Sequence, residues 1–147
     1  MRLNTMRIIV IVLFLLASHT AAADGHEGAL TLPKRQADAT FNITSVTYSE
    51  GLTTITSVGE MDEYGQVYVT FNLTNEINGD GGKVYGQGKG VVGDGMGSGQ
   101  FTGYWQRQGP VITMHHVVQI SDGSQNFDIV TWDSRGSNMT VEVHVLK

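Results

Sequence analysis

Arg107 and His116 are the side chains whose type and placement could support acid–base chemistry. They lie on consecutive alternating segments, residues 97–108 and 111–120, which a Gly-Pro turn joins. Both have inward parity if the apolar residues of each segment face a core, so they could approach each other. With a carboxylate in a small apolar cavity, they could orient or protonate a small ligand. The alternative is that these groups only satisfy one another's hydrogen bonds, as buried polar groups usually do.

Two further residues complete this candidate pocket. Glu60, near the end of segment 52–61, could supply the carboxylate, although neither parity of that segment is clearly apolar. Trp105 shares the inward parity of Arg107 on the same segment. The candidate pocket is therefore Glu60, Trp105, Arg107 and His116.

A glycine stripe, Gly86, Gly88 and Gly90, occupies one parity of segment 83–92 and leaves one face of that strand without side chains. Glycine is poor strand material, so this pattern indicates sharp barrel curvature or close approach of a bulky group. We expect Trp105 and Phe101 to pack into the groove. A ligand slot along the stripe is the alternative.

The sequence predicts neither a metal site nor a cofactor. His115 and His116 are adjacent on one predicted strand, so they point to opposite faces and cannot bind one metal ion together. The chain contains no cysteine, which excludes disulfides and thiol nucleophiles. No nucleophile motif accompanies the candidate base and arginine, and this short inventory favours binding over catalysis.

Short strands must position these residues. From residue 41 onward, segments with period-two alternation are bounded by Gly, Asn, Asp or Ser, which is typical of antiparallel hairpins. The predicted strands are residues 41–48, 52–61, 66–73, 83–92, 97–108, 111–120, 125–132 and 139–146. Such a meander leaves two edges unpaired unless it closes, so we predict an all-β fold, a single up-and-down antiparallel barrel. A twisted β-sandwich is the alternative.

Alternation also predicts which side chains face the core. The inward set is Val67, Val69, Phe71, Leu73, Ile112, Met114, His116, Val118, Ile120, Phe127, Ile129, Met139, Val141, Val143 and Val145. His115 is expected on the outer face.

The chain begins with the three-part pattern of a secretory signal peptide. Two arginines precede the apolar run 8–17, and small residues follow it up to Ala23. The run is too short to cross a bilayer, and no later segment is longer. We therefore expect an exported protein, secreted or periplasmic, without a membrane span after cleavage. The predicted organisation is a signal peptide at 1–23, a flexible lead-in at 24–40 and a barrel domain at 41–147.

Charge argues against a nucleic-acid partner. Loss of Arg2 and Arg7 with the leader would leave 7 basic side chains against 14 acidic ones, a formal charge of −7. Phosphate backbones need clustered Lys and Arg. Three Asn-x-Thr triplets are candidate N-glycosylation sites in an exported chain, at Asn42, Asn72 and Asn138.

The glycine-rich centre carries a family resemblance. Residues 84–92 read VYGQGKGVV and residues 99–105 read GQFTGYW. These stretches resemble a group of small microbial β-proteins with a Tyr-Gly-x-Gly-x-Gly-Val-Val element. Across residues 44–146 the layout is similar to allene oxide cyclase-like and dirigent-like barrels. The resemblance implies an eight-stranded barrel with a central pocket. None of the cyclases' catalytic residues is matched here, so their isomerase activity is not implied.

Three function classes follow from these observations. The favoured one is a non-catalytic binding module that holds a small apolar ligand inside the barrel. The second is an isomerase or lyase of the allene oxide cyclase-like type, which would need Arg107 and His116 to touch the ligand. The third is an interaction protein that works through exposed Tyr68, Tyr85 and Tyr104.

Overall fold

A computed structural model describes residues 30–76 and 79–147. Within these ranges the regular secondary structure consists of β-strands, with no helix. The eight strands are β1 Ala39–Ser49, β2 Leu52–Met61, β3 Gly65–Thr74, β4 Gly81–Val92, β5 Gly95–Gln108, β6 Val111–Ile120, β7 Gln125–Asp133 and β8 Asn138–Val145. The described ranges contain no helix with the length and apolarity that a bilayer crossing requires. The signal peptide predicted at 1–23 and the first residues of the lead-in lie outside them.

The strands form a closed antiparallel barrel in which each strand pairs with the next along the chain. Residues 138–141 of β8 pair with residues 39–42 of β1, so the sheet closes on itself. This confirms the predicted up-and-down barrel against the sandwich. A bulge between Ile43 and Ser45 follows the part of β1 that pairs with β8.

Tight turns fix the register between strands. Gly93 and Gly109 have φ of 56° and 60°, in the left-handed region that glycine adopts readily. Val92 pairs with Gly95, so only Gly93 and Asp94 connect β4 to β5. This two-residue connection determines which residues of the two glycine-rich strands lie opposite each other.

The predicted faces are correct on most strands and wrong on β7. Met114, His116 and Val118 of β6 are buried, as are most of the inward residues expected on β3 and β8. On β7 the inward set is instead Asn126, Asp128, Val130 and Trp132, while Phe127 and Ile129 are only partly buried. Both parities of β7 carry large apolar residues, so alternation could not decide between them. The pairing with β6 does, because Met114 lies opposite Val130.

The two ends of the barrel differ. The packed end is the end with the β1–β2, β3–β4, β5–β6 and β7–β8 connections, and apolar side chains fill it. Buried there are Ile55, Leu73, Val84, Trp105, Met114, Trp132 and Met139. The open end carries the β2–β3, β4–β5 and β6–β7 connections.

The lead-in reaches the barrel at the open end. Lys34 forms an isolated bridge with His144 of β8. The Arg35 backbone N–H donates to the Val143 carbonyl at 2.9 Å, and the Val145 N–H donates to the Pro33 carbonyl at 2.8 Å. The lead-in, predicted to be flexible, is therefore hydrogen-bonded to β8 from Pro33 onward.

Candidate functional site

The open end of the barrel contains a cavity of about 500 Å³. This volume lies within the range of small-molecule pockets, roughly 300 to 1,000 Å³. Its walls are mainly apolar, and its mouth is lined by residues of the β2–β3 and β6–β7 connections and by the strand ends that flank the β4–β5 turn. The apolar side chains that line it are Phe41, Met61, Val67, Val69, Phe71, Val92, Met96, Phe101, Val118, Ile120, Val130 and Val141.

Paired glycines form one wall of this cavity. Gly88 of β4 lies opposite Gly99 of β5, and Gly90 lies opposite Gly97. All four line the cavity. Neither strand projects a side chain at these positions, but neighbouring groups occupy the space beside three of the four glycines. A Cβ on Gly90 would lie 2.6 Å from the Tyr64 carbonyl oxygen, and a Cβ on Gly99 would lie 3.0 Å from Val118. A Cβ built on Gly97 would meet only the Ser121 Oγ, at 4.0 Å.

The packing predicted along the glycine stripe is found at only one of its three positions. Phe101 pairs with Gly86, and a Cβ on Gly86 would lie 2.5 Å from the Phe101 ring. Trp105 pairs instead with Gly82, outside the predicted stripe. The other two stripe glycines, Gly88 and Gly90, line the cavity.

A buried polar pair faces this space from adjacent strands. His116 of β6 lies opposite Asp128 of β7, and both line the cavity. The His116 Nε2 is 3.8 Å from the Asp128 Oδ2, and the two side chains are 2% and 13% exposed. The imidazole packs on Phe101 with ring centroids 4.3 Å apart, and Phe71 approaches it at 6.0 Å.

Burial sets the protonation of this pair. It lowers the pKa of His116 to about 3, with a smaller contribution from the charge of His115. It raises the pKa of Asp128 to about 7, although the positive charge of Arg35 opposes this shift. Near neutral pH the imidazole is therefore uncharged and the carboxyl group is partly protonated.

Side chains from both sides of the barrel meet at the mouth. The Arg35 Nε donates to the Asn126 Oδ1 at 2.6 Å, and the Asn126 Nδ2 donates to the Tyr64 Oη at 3.0 Å. Tyr64 precedes β3 and Asn126 lies on β7, four strands away. This chain of hydrogen bonds therefore crosses the mouth and ties the lead-in to it.

Of the four residues of the predicted pocket, only His116 lines the cavity. Glu60 is exposed, because its neighbours Gly59 and Met61 face inward on β2. Trp105 lies in the packed end, where its Nε1–H donates to the Thr74 carbonyl at 2.8 Å.

Arg107 lies at the other end of the barrel from the cavity. Arg107 pairs with Ile112, whereas His116 pairs with Gly103, four residues away along β5. That separation is about 13 Å, so shared parity does not bring the two side chains together. The exposed guanidinium instead forms an ion pair with Asp80.

Sequence reasoning missed the carboxylate that does face His116. An inward Phe127 and Ile129 would leave the intervening Asp128 facing outward, and the structure shows the opposite parity. The signal that could have found it is the register across the short β6–β7 turn, which places Asp128 opposite His116. Arg35, Tyr64 and Asn126 carried no local signal, because distant parts of the chain bring them together.

The surface features predicted from the sequence have these positions. Asn42 and Asn138 are exposed and lie opposite each other on β1 and β8. Asn72 is half-buried and accepts a hydrogen bond from the Thr54 hydroxyl at 3.0 Å. Three exposed tyrosines lie on the adjacent strands β3, β4 and β5: Tyr68, Tyr85 and Tyr104.

No protein-family model, no curated protein and no solved structure matches this chain. Across residues 30–76 and 79–147, no three His, Cys, Asp or Glu side chains group as metal ligands. A ligand in the cavity would meet apolar walls, the buried His116–Asp128 pair and the hydrogen-bonded side chains at the mouth.

Proposed function

We propose that this protein is an exported binding module that holds a small, largely apolar ligand inside the open end of the barrel. The observation that supports the proposal is the cavity itself, which is bounded by four facing glycines on one wall and aromatic side chains on others. Well-packed cores have few voids larger than a water molecule, so a space of about 500 Å³ sets this end apart. Export belongs to the proposal because it rests on the leader predicted at residues 1–23.

Removal of apolar ligand surface from water would supply most of the affinity. A two-ring aromatic compound such as 2-methoxynaphthalene is a suitable test compound, because it is flat and has no hydrogen-bond donor. With about 12 non-hydrogen atoms at roughly 0.4 to 0.5 kcal/mol each, its dissociation constant would be on the order of 100 μM.

Blocking the cavity should abolish this binding. Gly97→Trp would project an indole into the space beside the glycine wall, where a Cβ meets no atom closer than 4.0 Å. We expect the affinity for 2-methoxynaphthalene, measured by the fluorescence anisotropy of the compound, to fall at least about tenfold, or roughly 1.4 kcal/mol.

Thr102→Trp is the matched control, because Thr102 is exposed on the outer face of the same strand. It should bind the compound as the wild type does. Equal loss in both variants, or unchanged binding in Gly97→Trp, would place the compound outside the cavity and contradict the proposal.

An isomerase or lyase that moves a proton within a small apolar substrate is the second candidate. The His116–Asp128 pair favours it, because a carboxyl group with a pKa of about 7 can both accept and donate a proton near neutral pH. Binding is the better supported function, since the cavity alone suffices for it and catalysis would require further groups at the reacting atoms.

A further inference from the structure

The polar pair in the cavity leaves hydrogen-bonding capacity unused. The 3.8 Å between the His116 Nε2 and the Asp128 Oδ2 is longer than a hydrogen bond. Within the described residues, the His116 Nδ1 and the Asp128 Oδ1 are also buried without a hydrogen-bond partner. Buried polar atoms nearly always have partners, so two unpartnered groups on the wall of one cavity indicate a group that they bind.

The protonation of the pair restricts what that group can be. A neutral imidazole offers one donor and one acceptor, and a partly protonated carboxyl group also offers both. A carboxylate ligand would have to leave water and approach Asp128, which repels it whenever Asp128 is ionised. A hydroxyl group is neutral, donates one hydrogen bond and accepts others, so it complements both partners.

The surroundings of the pair restrict the rest of the ligand. Phe71 and Phe101 lie beside the imidazole, with their own ring centroids 5.2 Å apart. Next to β6, the cavity wall formed by β5 and β4 carries the paired glycines Gly88–Gly99 and Gly90–Gly97. The flat faces of these aromatic rings lie next to the polar His116–Asp128 pair. This arrangement suits a rigid ring that carries one polar substituent.

We propose that the His116–Asp128 pair is the recognition point for one hydroxyl group on a ring-containing, otherwise apolar ligand, that is, a phenol or a cyclic alcohol. This inference rests on the proposed function, since it names the ligand class of the same cavity.

Three naphthalenes with the same rings test the inference: 2-naphthol carries the hydroxyl group, 2-methoxynaphthalene lacks the donor and 2-naphthoate carries a negative charge. The wild type should bind 2-naphthol about tenfold more tightly than 2-methoxynaphthalene, and 2-naphthoate most weakly. The measurement is the fluorescence anisotropy of each compound at pH 7.

His116→Phe keeps an aromatic ring against Phe101 but removes both nitrogens. We expect its preference for 2-naphthol to fall to about onefold or twofold, with the affinity for 2-methoxynaphthalene nearly unchanged. His115→Phe, on the outer face of the same strand, is the control and should keep the wild-type preference. Asp128→Leu provides the same test from the other partner if His116→Phe does not fold.

The outcomes separate the two proposals. Equal binding of 2-naphthol and 2-methoxynaphthalene by the wild type, or tightest binding of 2-naphthoate, would overturn the hydroxyl inference and leave the binding function standing. A preference that survives in both His116→Phe and Asp128→Leu would also overturn it. If none of the three compounds binds the wild type, the proposed function itself is wrong.

Discussion

Asp128→Asn should stabilise the protein above pH 7 and have little effect below pH 4. The folded-state pKa of Asp128 is about 7, against an ordinary value of 3.8. Between these values the folded protein holds a proton that the unfolded chain has released, so stability falls as pH rises through this window. Asparagine has no proton to lose, and its gain should reach about 2 to 4 kcal/mol at pH 8.

His116 makes the opposite contribution over much of the same range. Its folded-state pKa is about 3, against 6.5, so the unfolded chain binds the extra proton and stability rises with pH between these values. In the wild type the two slopes nearly cancel between about pH 4 and 6.5. Asp128→Asn removes one of them, so the stability of the variant should rise with pH there while the wild type changes little.

The groups that face Asp128 are His116 on β6, Arg35 on the lead-in and the apolar Val143 on β8. Urea unfolding at a series of pH values measures the effect. Asp133→Asn is the control on the same strand, because Arg135 lowers the pKa of the exposed Asp133 and removal of that carboxylate should destabilise. A difference between Asp128→Asn and wild type that does not vary with pH would contradict a buried carboxyl group.

Met114→Ala should destabilise the protein far more than Met61→Ala. Met114 is fully buried in the packed end, between its pairing partners Trp105 and Val130, whereas Met61 lines the cavity. Truncation in a filled core loses contacts on every side and leaves a new void, which should lower the free energy of unfolding by about 3 kcal/mol. Truncation at a wall that already faces open space loses less, about 1 kcal/mol.

The same substitution at both positions makes the comparison direct. Urea denaturation gives both free energies of unfolding, and unchanged m-values would show that the two variants unfold from equally compact states. Equal losses at the two methionines would mean that the barrel is packed alike at both ends, and the cavity would not be a feature of the folded protein.

Strand positions and barrel closure could be predicted because they depend on local chemistry. Period-two alternation and Gly or Asp turns determine each hairpin, and a meander of eight strands closes to remove its edges. Faces were predictable where only one parity is apolar, as on β6. On β7 the two parities are equally apolar, and the assignment of Phe127 and Ile129 to the core was wrong for that reason.

The cavity was less accessible to sequence reasoning, because it depends on pairing between strands. The sequence shows that Gly88 and Gly90 of the glycine stripe have no side chains. Whether the space beside them is filled depends on the residues that lie opposite on β5. The turn at Gly93 places Gly99 and Gly97 there, and not Phe101 or Trp105. Parity also suggested that Arg107 could reach His116, although the register separates them along the strands.

Methyl resonances of methionine provide the most direct test of ligand binding in the cavity. Met61 and Met96 line the cavity, whereas Met114 and Met139 are buried in the packed end and do not. In methyl-labelled protein, saturating 2-methoxynaphthalene should shift the Met61 resonance through the ring current of the bound compound and leave the Met139 resonance in place. An unchanged Met61 resonance at saturation, or a shift at Met139 as large as that at Met61, would contradict binding inside the open end of the barrel.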